Sequence, residues 1–68
     1  MQRVPVVSEA VRSIGYEGGT LEIEFTDGDV YRYVDVPESV YAELMLSESI
    51  GRYVSARIRD EYRYARVT

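Results

Sequence analysis

The run Thr20-Leu21-Glu22-Ile23-Glu24-Phe25-Thr26-Asp27-Gly28-Asp29-Val30-Tyr31-Arg32-Tyr33-Val34-Asp35-Val36 decides how this chain folds. Its first seven residues set Leu21, Ile23 and Phe25 against Glu22, Glu24 and Thr26, the period of two expected of a strand with one buried and one wet face. Asp27-Gly28 supplies a turn, and Val30 to Val36 returns as the second strand of a hairpin. Loop length then fixes what that strand displays. With two loop residues, Val30, Arg32 and Val34 share the buried side, while Tyr31 and Tyr33 stand beside Glu24 and Glu22. With three loop residues and a glycine bulge, the pairing moves by one and both tyrosines join the core face. Burying Arg32 is costly unless its head reaches water at the sheet margin, so the three-residue loop is slightly favoured.

Upstream, Val11 to Tyr16 runs into Glu17-Gly18-Gly19, and the glycine pair offers the positive φ angles of a tight hairpin, which adds a third strand. Val4, Val6 and Val7 surround Pro5, a residue that cannot donate to a central ladder, so this stretch reads as an edge strand or an extended arm. Downstream, Pro37 suits the first turn of a helix and Glu38 puts negative charge at its positive end. Val40, Tyr41, Leu44 and Met45 share one face of that helix through Ser47. Ser49 can cap a second helix in which Ile50, Val54 and Ile58 form a narrow apolar stripe. The expected fold is α+β: a three-stranded antiparallel meander, with a fourth N-terminal edge strand as an option, followed by two C-terminal α-helices packed on one face. If the second helix continues past Asp60, Arg52, Arg59, Arg63 and Arg66 fall within about 60° of one another, opposite Ile50 and Val54. Such a row is either a solvated helix face or a stripe for an anionic ligand.

The chain has 68 residues, enough for one core, so residues 1–68 are expected to form a single domain. Cysteine and histidine are absent, which excludes thiolate nucleophiles, disulfides and sulfur-ligated zinc. Lysine is absent too, and all eight basic residues are arginine. That usage fits a GC-rich coding source or adaptation to heat, or selection for the planar contacts that guanidinium makes to phosphates and carboxylates. The longest apolar stretch is far short of a membrane helix and there is no signal-peptide pattern, so a cytoplasmic location away from membranes is the expectation. Net charge is −4, unevenly spread: up to residue 49 three arginines face ten acids, and from residue 50 five arginines face two. An acidic body with a basic C-terminal quarter gains little general attraction to nucleic acid, so any such contact must be local.

The order of signals is that of a known family. Ile14-Gly15-Tyr16, the strand ending in Phe25, Gly28, Tyr31-Arg32-Tyr33, Val36-Pro37-Glu38-Ser39-Val40-Tyr41, and Ser49-Ile50-Gly51-Arg52-Tyr53 followed by Ile58-Arg59 together resemble the KTSC domain over roughly residues 4–67. This domain occurs at the C-terminus of some lysyl-tRNA synthetases and as small stand-alone bacterial and phage proteins. The resemblance implies RNA binding, proposed for the family from its association with a tRNA synthetase.

The candidate residues point the same way. Seven tyrosines interleave with arginines, as in Tyr31-Arg32-Tyr33, Arg52-Tyr53 and Tyr62-Arg63-Tyr64, a pattern suited to base stacking beside phosphate contacts. Tyr16, Tyr41 and Tyr53 read as core rings with wet hydroxyls. Glu22 and Glu24 read as an exposed strand face, not as an acid–base pair or metal site, and Asp27-Gly28-Asp29 as a turn, not a calcium loop. Ser47, Ser49 and Ser55 have no general base, so neither enzymatic activity nor a cofactor is expected. The leading expectation is a module for RNA or single-stranded nucleic acid that uses Tyr31, Arg32, Tyr33, Arg52, Arg57, Arg59 and Arg63. The alternatives are a protein-interaction module, such as a phage or host regulator or a homodimer, and an acidic mimic of nucleic acid.

Overall fold

The computed structural model describes every residue from Met1 to Thr68. Five strands, β1 (Arg3–Pro5), β2 (Val11–Glu17), β3 (Thr20–Phe25), β4 (Val30–Tyr33) and β5 (Tyr64–Arg66), form one antiparallel sheet in chain order. Between β4 and β5 come α1 (Glu38–Leu46) and α2 (Ile50–Tyr53), the latter running on into a single π-helical turn, Val54–Ile58. Strands dominate the molecule.

The sheet therefore has five strands, not three or four, which overturns the expected architecture. The error lies in the last segment. Tyr62 to Arg66 alternates in a way that fits a helix face or a strand, and long-range pairing decides between them. As a strand it closes the free edge of β4: the Val34 amide donates to the Arg63 carbonyl at 2.9 Å and the Val67 amide to the Val30 carbonyl at 2.6 Å. A helix continued past Asp60 would leave that edge open. The optional N-terminal strand is real and lies at the opposite margin, with Pro5 in it.

Both glycine turns form as expected. Gly18 and Gly19 take φ of 56° and 84° between Glu17 and Thr20, and Gly28 takes φ of 98°. In the second turn the Phe25 amide donates to the Asp29 carbonyl at 2.8 Å, which makes Thr26-Asp27-Gly28 a three-residue loop. Leu21 consequently pairs with Tyr33 and Ile23 with Tyr31, so both tyrosines share the side of the apolar residues. A bulge between Val11 and Ser13 lets Val11 and Ile14 face that same side.

The core is Val11, Ile14, Leu21, Ile23 and Tyr33 from the sheet, closed by Val36, Leu44, Val54 and Ile58. Each aliphatic side chain buried there contributes about 1.5–3 kcal/mol. Ser49 caps α2 by accepting from the Arg52 amide, and the Arg59 amide donates to the Val54 carbonyl five residues back, which defines the π turn. The Tyr53 hydroxyl donates to Glu43 Oε1 at 2.8 Å and ties α2 to α1. Burial, helped by that bond, pushes the Tyr53 hydroxyl pKa up. Tyr16 stacks on Tyr41 at 4.8 Å and donates to the Val36 carbonyl.

On the other face of the sheet, Glu22 is only 3% exposed, contrary to its reading as a solvated residue. Arg3 from β1 and Arg32 from β4 close over its carboxylate, with Arg32 Nε donating to Oε1 at 2.6 Å. Ser13 extends the network, accepting from Arg3 Nε and donating to Glu24. Gly15 makes room for this arm, since a Cβ there would stand 2.9 Å from the Gln2 carbonyl oxygen. The bond from Arg32, with that from Arg3, outweighs burial and holds the Glu22 carboxyl below its ordinary range.

Candidate functional site

The helices cover only part of the inner face. Beyond their reach, the end of the β3–β4 hairpin, the last strand and the end of the π turn enclose an open cleft of about 470 Å³. Its aromatic lining is Phe25, Tyr31, Tyr33 and Tyr64, and its charged lining is Asp27, Asp29, Arg59 and Asp60. Alternation places the rings: Tyr31 and Tyr33 point inward because of the three-residue loop, and β5 pairs Tyr64 with Tyr33 on the same face. Tyr31 and Tyr64 stack at 5.3 Å and 20°, and Phe25 meets Tyr31 edge-on at 5.7 Å. Tyr64 remains 56% exposed, whereas Tyr33 is 2% exposed. Burial is the main influence on the Tyr33 hydroxyl and raises its pKa; nearby Arg59 opposes this more weakly.

The arginines fall into two sets. Arg3 and Arg32 pair with Glu22, Arg12 with Glu24, and Arg66 with Asp29. Arg52, Arg57, Arg59 and Arg63 are exposed, make no ion pair within 4.0 Å, and leave their guanidinium groups free of internal hydrogen bonds.

The residues expected from sequence are accordingly only partly gathered. Tyr31 and Tyr33 line the cleft with Arg59. Arg63 lies beside it, sharing a neighbouring depression with Arg59, Asp60, Tyr62 and Tyr64. Arg52 and Arg57 share a separate depression with Ser49 and Tyr53, away from the hairpin tyrosines. Arg32 stands on the opposite face, held by Glu22. The single helical stripe does not exist, because Arg66 belongs to a strand. Tyr64, Phe25 and Asp60 were missed. For Tyr64 a signal was present, since Tyr62-Arg63-Tyr64 repeats the alternation of Tyr31-Arg32-Tyr33.

No group of three or more acids forms a metal cage, and no helix is long and apolar enough to cross a membrane. Fold and cleft together define a small sheet-based domain whose inner face opens onto an aromatic groove. A family model for the KTSC domain matches residues 7–62, and the chain belongs to that family. It is similar to an uncharacterized protein of Stutzerimonas stutzeri, with 40% identity over 98% of this chain and 99% of the relative. A protein of Tsukamurella paurometabola is 36% identical over 87% of this chain and 91% of its own length. The crystal structure of a KTSC domain protein from Yersinia pestis superposes with a TM-score of 0.92 at 34% identity, covering 98% and 97% of the two chains.

Proposed function

We infer that the protein is a non-enzymatic cytoplasmic module that binds RNA or other single-stranded nucleic acid, with bases stacking on Tyr64 and phosphates meeting Arg59 and Arg63. The supporting observation is the sorting of the arginines: those of the sheet framework are ion-paired, while the two that share a depression with the exposed Tyr64 ring are not. Unpaired guanidinium beside an open aromatic face is the combination that single-strand binders use, because every base offers a ring to stack and every linkage a negative charge. Arg52 and Arg57 extend the phosphate track, and Arg32 is left out of it.

Anisotropy titration of a labelled single-stranded RNA at low and moderate salt tests the assignment. Affinity should fall as salt rises, Tyr64→Ala should weaken binding about fivefold or more, and Arg59→Ala with Arg63→Ala should flatten the salt slope. Absence of binding at low salt, or binding indifferent to salt, removes it. A protein partner or a second copy is favoured by one observation, the exposed β5 margin with only one side paired. Sedimentation over a hundredfold concentration range tests the self-association form of that idea, and a constant monomer mass counts against it.

A further inference from the structure

Tyr33 is 2% exposed, lines the cleft, and makes no hydrogen bond through its hydroxyl. No fully buried side-chain oxygen in the molecule lacks a partner, so the unbonded Tyr33 hydroxyl is not sealed off and keeps some accessible surface. A ring this deep whose polar tip is kept free is a pre-set contact for something entering the cleft. The carboxylates around it differ in availability. Asp29 is paired with Arg66 at 2.8 Å, and Asp27 accepts from the Asp29 amide at 3.0 Å. Asp60 makes no ion pair within 4.0 Å and lines the cleft together with Arg59.

We propose that the cleft receives one unstacked guanine base, read by the Asp60 carboxylate and the Tyr33 hydroxyl. This rests on the nucleic-acid assignment and goes further by naming what is recognised. The volume lies within the range of about 300–1,000 Å³ usual for small-ligand pockets, and the ring-lined walls suit a flat aromatic guest. Carboxylates around the opening repel phosphate, so the backbone stays outside along Arg59 and Arg63 while the base turns in. Guanine presents two adjacent N–H donors to a carboxylate, and its carbonyl and ring nitrogen accept from a hydroxyl. Uracil presents one N–H flanked by two carbonyl oxygens, which a carboxylate repels.

The test is a set of uridine-rich RNA oligonucleotides that differ only in one central base, titrated against the full chain and against Asp60→Asn and Tyr33→Phe. The guanine oligonucleotide should bind about tenfold tighter than the all-uridine one. Tyr33→Phe keeps the buried ring, and circular dichroism verifies its fold. It should narrow the gap by weakening the guanine oligonucleotide. Asp60→Asn should narrow the gap while tightening all-uridine binding, since it removes a negative charge beside Arg59; a purely structural role would not move the two readouts in opposite directions. Equal affinity for all four oligonucleotides, with salt dependence intact, overturns the guanine proposal and leaves the module standing. A gap that survives both substitutions also overturns it. No binding of any oligonucleotide removes both.

Discussion

Glu22 on the outer face of the sheet and Tyr33 on the inner face are nearly equally buried, at 3% and 2% exposure, yet their polar atoms are treated in opposite ways. The carboxylate of Glu22 is closed in by two arginines from strands on either side, and Ser13 carries the network on to Glu24. The hydroxyl of Tyr33 has a cleft in front of it and no internal partner. A face whose polar groups satisfy one another holds the framework together, and a face that leaves them free is available to a ligand. Sequence position does not distinguish the two, since Arg32 and Tyr33 are neighbours in the chain and serve opposite sides.

Truncating the inner face should have the largest effect. Tyr33→Ala removes a core ring and should lower stability by about 3 kcal/mol in denaturant unfolding, whereas Tyr33→Phe should stay within about 1 kcal/mol. A Phe variant as damaged as the Ala variant would mean that the hydroxyl has a structural partner. Glu22→Gln should cost about 2 kcal/mol, less than a fully buried pair would, because Arg3 and Arg32 keep access to water, and RNA affinity should not change. It should also alter the acid limb of the stability curve. Because the folded carboxyl titrates below its ordinary value of 4.5, its contribution is complete above that value and disappears as pH falls through the lower one. Urea midpoints between pH 6 and pH 3 should therefore fall less steeply in Glu22→Gln than in the parent. Gly15→Ala should cost about 1–2 kcal/mol by pushing β1 off the sheet, and exchange should speed up at the Val6 amide, which donates to the Arg12 carbonyl. An unchanged Val6 amide would show that the arm adjusts without leaving.

The hairpin at the centre was readable because its signals are local. Strict alternation and an Asp-Gly turn marked the hairpin, while its register stayed open between two loops, and the cost of burying Arg32 only tilted the choice toward the one that puts Tyr31 and Tyr33 on the core face. The burial of Glu22 was not readable, since it depends on Arg3 and Arg32 arriving from positions 19 and 10 residues away. Nor was β5, because Tyr62 to Arg66 carries a pattern compatible with either period and only the vacant edge of β4 selects the strand. That misreading turned four arginines into one imagined row and hid Tyr64, the most exposed ring of the cleft.

Strand order equal to chain order means that β2, β3 and β4 each pair with the preceding strand across a short connection, whereas β5 meets β4 only across the whole helical segment. The cleft is therefore built across the longest connection in the sheet: Phe25, Tyr31 and Tyr33 come from one local hairpin, while Tyr64 comes from a strand that follows the helical segment and stacks on Tyr31. The aromatic cleft thus joins a local hairpin to a segment distant in the chain, so its geometry depends on the helices between them being packed in place.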